Sequence, residues 1–163
     1  MPEKSCGIYF KRELYTEDCL PISFAIPAEK IADKAIVKKT LFLAKMVPGN
    51  SGTDRRYLYD KEEDYYKGYQ DALFGLTKKK AGWDCMRHYE IAANQCLPYF
   101  VDFAKCPKMI MTTWPVDLQL EANNIAKTQD LTQYQKVLSE FMSYTKRNLT
   151  TTALAQYVLS KVF

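Results

Sequence analysis

Residues 74–100, FGLTKKKAGWDCMRHYEIAANQCLPYF, constrain the fold more than any other part of this chain. An apolar run at residues 73–77 has the length and composition of a strand. A basic loop follows, with Lys78, Lys79, Lys80 and Gly82. From near Asp84 the pattern becomes helical, and a second strand is expected from Leu97. Strand, basic loop, helix, strand is an order that places the start of a helix at the end of a strand.

A basic loop entering a helix is a physical recipe for holding an anion. Unpaired N–H groups point out of the first turn, and the helix dipole favours negative charge there. Arg87 and Glu90 are three apart and share a helix face. A guanidinium for a diphosphate beside a carboxylate for a sugar hydroxyl is the grip that a nucleotide-sugar site needs. Lys79, Lys80, Gly82, Arg87 and Glu90 are therefore the expected donor-binding residues. His88 is the chain's single histidine and the candidate general base. Trp83 and Tyr89 suit either core packing or stacking on a ligand ring.

The rest of the chain fits an alternation of strands and helices. Residues 19–26, CLPISFAI, read as a strand bounded by Pro27, and residues 28–38 as a helix. Residues 41–47 read as a strand ending in the glycine-containing turn 48–52. Residues 60–73 read as a helix, with Glu62, Glu63 and Asp64 in its first turn as the dipole prefers. Residues 97–102, and then 109–113, are further strand candidates. After Pro115 only helices are expected, at 116–126, 131–146 and 150–162. Such an order predicts an α/β, Rossmann-like three-layer domain with a mostly parallel sheet of about four to six strands and C-terminal helices. One domain is expected over 1–163, its helical part at about 115–163. Parallel sheets bind ligands at the carboxyl ends of their strands, here the loops after Val47, Thr77 and Tyr99.

Composition excludes several classes. The 163 residues are 47% hydrophobic and 26% charged, as in ordinary folded domains. No apolar run approaches the roughly 20 residues of a membrane span. The N-terminus lacks the apolar stretch of a signal peptide, so a cytoplasmic location, or a fragment of something larger, is expected. Five cysteines without a CxxC pair suggest reduced thiols and no zinc site. The net charge of +4 is too modest for a dedicated nucleic-acid binder.

Phe74 and Leu76, then Arg87 and Glu90, then Cys96 and Pro98, follow the spacing F-x-L, R-x-x-E, C-x-P. In this spacing the chain resembles the donor-binding, C-terminal domain of GT-B glycosyltransferases, especially exostosin-like families. The flanking segments PISFAIPAEKI and DLQLEANN are similar to exostosin-like proteins of large DNA viruses and some microbes. The chain departs from that pattern at three places. Cys85 stands where a small hydroxyl residue is usual, Gln95 where glycine is usual, and the loop glycine is displaced to Gly82. The resemblance implies a metal-independent glycosyltransferase that uses a nucleotide-diphosphate sugar, with no cofactor besides that donor. It also implies a glycan or glycoprotein acceptor, held either by an acceptor domain on another segment or chain or, in a compact variant, by the C-terminal helices. The alternative is a non-catalytic binding or interaction module that kept the donor-binding fold.

Overall fold

The computed structural model describes residues 7–13, 18–34, 38–46 and 59–163. Three short strands form a parallel sheet in the order β3-β4-β5: β3 is Leu41–Leu43, β4 is Ala72–Thr77 and β5 is Leu97–Phe100. A second, two-stranded parallel sheet pairs β1, Phe10–Lys11, with β2, Leu20–Pro21. The helices are α1 (Glu62–Gln70), α2 (Met86–Ala93), α3 (Val116–Thr128), α4 (Tyr134–Asn148) and α5 (Thr151–Val162). The layout is the expected α/β one, Rossmann-like, with parallel strands and helices at the C-terminal end. The sheet is narrower than expected, with three strands among the described residues.

The local reasons are visible in the sequence. Three acids open α1, where they meet the positive end of its dipole. Helix α1 leads directly into β4, and α2 carries the chain from β4 to β5. Register along β4 and β5 runs from Phe74↔Leu97 to Thr77↔Phe100. Gly75 lies at the contact between β4 and α2. A Cβ there would sit 2.8–3.0 Å from three side-chain carbons of Ile91, so only glycine lets the helix approach this closely. Phe74, Tyr89, Leu97, Phe100, Trp114 and Phe141 form the centre of the main core.

The outer edge of β5 is closed by side chains of α3. Asn123 accepts from the Phe100 N–H at 2.9 Å and donates to the Phe100 carbonyl at 2.8 Å. Gln119 donates to the Pro98 carbonyl at 2.8 Å and accepts from the Trp114 indole at 3.0 Å. Both amides are buried, and each group left unpaired there would cost about 1–3 kcal/mol.

Several expected boundaries moved. Of residues 19–26, only Leu20–Pro21 pairs as a strand, with a separate bridge from Ile26 to Thr150. Only a 3-10 turn, Ala28–Lys30, forms where a helix over 28–38 was expected, and residues 35–37 lie outside the described residues. Pro27 opens this turn and the Ala28 carbonyl closes it at Ile31, so the helix is not propagated. Residues 109–113 form turns rather than a strand: the Ile110 N–H bonds back to Pro107, the Trp114 N–H bonds to Met111, and Met111 has φ 52°. The loop at 48–52 lies outside the described residues. No helix among the described residues is long and apolar enough to cross a membrane.

Candidate functional site

A cleft of about 690 Å³ opens at the carboxyl end of β4. Its walls come from four parts of the chain. Thr77, Lys78, Lys80 and Gly82 belong to the end of β4 and its loop, and Asp84, Cys85, Arg87 and Glu90 to the entry and first turns of α2. Tyr65 comes from α1, and Arg12, Glu13 and Phe24 come from the β1–β2 segment. Four cationic side chains and three carboxyl groups thus face one space.

Arg87 forms no ion pair among the described residues, although Glu90 is three positions away on the same helix. Its Nε is buried without a protein hydrogen-bond partner. Glu90 instead accepts a 2.7 Å hydrogen bond from the Tyr65 hydroxyl. Tyr65 also meets the hydroxyl of the fully buried Tyr69 at 3.1 Å. Burial, first, and then the neighbouring Tyr69 and Glu90 raise the Tyr65 pKa far above that of a free phenol, so Tyr65 stays protonated.

The entry to α2 is built differently from the sequence expectation. Cys85 is the residue before the helix and makes no side-chain capping bond. Burial raises its thiol pKa, and the nearby amides of Arg87 and His88 offset only part of that. The Asp84 N–H just ahead of the helix donates to Glu13 Oε1 at 2.6 Å. Gly82 makes room for that carboxylate, since a Cβ there would lie 2.8 Å from Glu13 Oε1. The loop glycine therefore serves a carboxylate of the chain itself. Asp84 accepts from the Phe24 N–H at 2.8 Å and from the Tyr89 hydroxyl at 2.9 Å. Burial raises its pKa in spite of those bonds. The Arg12 guanidinium stacks 3.9 Å over the Phe24 ring and donates to the Asp84 carbonyl at 3.2 Å.

The structure thus brings Lys80, Gly82, Arg87 and Glu90 around one cleft. Lys79 is not among its lining residues. Lys78 and Lys80, on either side of it in sequence, line the cleft. The Lys79 N–H donates to the Asp102 carboxylate at 3.1 Å, and its ammonium lies 5.8 Å from the centre of the Trp83 ring.

His88 lies inside the core, fully buried and stacked on Phe100 at 4.5 Å. Its Nε2 is 2.7 Å from the Trp83 carbonyl, which only accepts, so Nε2 carries the proton. Nδ1 then accepts from the Thr77 hydroxyl at 3.0 Å. Burial and, less strongly, Arg87 lower its pKa to about 4, so the ring is neutral. This arrangement ties the end of β4 to the α2 entry, and His88 is not among the residues that line the cleft. Trp83 and Tyr89 are core residues as well.

Among the described residues, no group of three His, Cys, Asp or Glu side chains is placed to hold a metal ion. Sequence reasoning missed Arg12, Glu13 and Phe24, which reach the cleft from far away in the chain and carry no local signal. Tyr65 did leave a signal, because Tyr65 and Tyr69 stand at helical spacing and share a face. Compared with family models, curated proteins and solved structures, the chain matches none of them.

Proposed function

We propose that the cleft holds a nucleotide-diphosphate sugar and that the chain is a glycosyltransferase-like donor-binding domain. The observation that carries this reading is Arg87. A guanidinium without an ion pair among the described residues, with a buried and unpartnered Nε, lines a cleft at a helix start that has no side-chain cap. Leaving that group unpaired costs about 1–3 kcal/mol, and the residue lines a cleft that a phosphate could enter. Arginine presents a planar fork suited to two phosphate oxygens.

In this reading, an acceptor hydroxyl oxygen attacks the anomeric carbon of the sugar. The bond from that carbon to the diphosphate oxygen breaks, and the electron pair leaves with the diphosphate. Arg87, Lys80, Lys78 and the first-turn amides of α2 stabilise the charge that develops, without a metal. The acceptor's proton goes to a base outside these residues, on an acceptor domain from another segment or chain. The acceptor itself is a glycan or glycoprotein.

A second reading is a non-catalytic binding or interaction module on the same fold. It is favoured by the engagement of each acid in the cleft. Glu13 holds the Asp84 N–H, Asp84 holds Phe24 and Tyr89, and Glu90 holds Tyr65.

Isothermal titration with UDP and GDP tests the first reading. Arg87→Ala, checked for folding by circular dichroism, is expected to weaken binding by about ten- to a hundred-fold. Arg87→Lys recovers only part, because a point charge lacks the fork. Equal binding by wild type and folded Arg87→Ala would remove the phosphate role. No binding of either nucleotide by wild type, with or without added metal, would favour the module.

A further inference from the structure

We infer that Tyr65 is a positioning residue that turns Glu90 into a hydroxyl-selective subsite beside the phosphate end of the cleft; this rests on the donor-binding reading above. The argument begins with the direction of the protons. The Tyr65 hydroxyl donates to Glu90 Oε2 at 2.7 Å. The Tyr65 oxygen is then left as acceptor for the Tyr69 hydroxyl at 3.1 Å. The chain of bonds has one sense, from Tyr69 to Tyr65 to Glu90. It starts from a fully buried ring on the same face of α1, which anchors it.

Two consequences follow for the carboxylate. Its orientation is set before any ligand arrives, because one oxygen is held by a side chain from a different helix. Its other oxygen, Oε1, has no protein donor among the described residues, and Glu90 lines the cleft. A group that meets Glu90 must therefore bring its own proton. Hydroxyls of a ribose or sugar do so, whereas a phosphate or a carbonyl does not. Arg87, one turn earlier on α2, has the opposite preference. The two side chains divide the ligand between an anionic part and a hydroxyl part. Tyr65 keeps Glu90 from turning toward Arg87 and pairing with it, which would cancel both preferences.

The test is isothermal titration with pyrophosphate, with UDP or GDP (whichever binds more tightly), and with the 2′,3′-dideoxy form of that nucleotide. The proteins are wild type, Tyr65→Phe, Glu90→Gln and the double variant, with Tyr66→Phe as the control on the same helix. Wild type is expected to prefer the ribonucleotide by about tenfold, the worth of one charge-assisted bond. Tyr65→Phe should lose most of that preference while binding pyrophosphate as wild type does or more weakly, since a freed Glu90 competes for Arg87. In the Glu90→Gln background, Tyr65→Phe should add nothing. Tyr66→Phe should leave the preference intact.

A folded Tyr65→Phe with the full preference overturns the positioning role and leaves the phosphate reading standing. Equal binding of the two nucleotides by wild type also overturns it, while retained pyrophosphate binding keeps the anion site. Failure of wild type to bind any of the three ligands overturns this inference together with the donor-binding reading.

Discussion

At the scale of single residues, the chain separates groups held for stability from groups held open. His88 is the first kind. Its folded-state pKa of about 4 lies below the value near 6.5 expected in the unfolded chain. Between those values the unfolded state binds more protons, so stability is full above pH 6.5 and falls as the pH drops toward 4. The loss is on the order of 3 kcal/mol once both values have been passed. Asp84, whose pKa is raised by burial, acts in the opposite sense at the acid end. Urea unfolding at pH 7 and pH 4.5, for wild type and His88→Gln, isolates the imidazole. The variant is expected to be less stable at pH 7 and to show a flatter profile over this range. An identical pH slope in both proteins would contradict the burial argument. Arg87 is the second kind, and its test by titration needs no change in fold.

At the scale of elements, much of the fold was legible. The strand, loop, helix and strand of residues 73–100 came out within a few residues, because apolar runs and helical spacing there report directly on burial. The three C-terminal helices did too. The strands at 19–26 and 109–113 were misread for one reason: apolar composition signals burial, and burial does not require pairing. Part of the cleft was legible as well, since Lys80, Gly82, Arg87 and Glu90 come from one local segment. Its opposite wall was not, because Arg12, Glu13 and Phe24 are brought there by tertiary contacts. Gln95 illustrates the limit. It adopts φ 54° where the resembled pattern has glycine, and its side chain ties down the Ala32 and Lys34 carbonyls at 3.1 and 2.6 Å. The β4–α2 contact gives a sharper test. Gly75→Ala is expected to destabilise by about 1–3 kcal/mol through overlap with Ile91. Combined with Ile91→Ala it should cost less than the sum of the two single changes, because the second removes the atoms that clash. Full additivity in urea unfolding would mean that the helix can move away.

At the scale of the whole molecule, one wall of the cleft is tied to α5, a helix without a buried residue. Thr150 caps it by accepting from the Ala153 N–H at 3.2 Å, and the Ile26–Thr150 bridge ties its start to the N-terminal segment. Tyr157 donates to the Pro21 carbonyl at 2.8 Å and packs edge-on against Phe10 at 6.1 Å. The β1–β2 segment that it steadies carries Arg12, Glu13 and Phe24. Tyr157→Ala is therefore expected to weaken nucleotide binding severalfold while changing global stability little. Titration and urea unfolding on the same sample check this, and unchanged binding would show that the wall holds itself. The edge cover of β5 has a consequence of another kind. Pro98 offers no N–H, its carbonyl is taken by Gln119, and both backbone groups of Phe100 are taken by Asn123. A foreign β-strand finds no template along that border, so strand-swapped dimers and fibril-like stacking are barred there by two amide side chains acting as a surrogate neighbour.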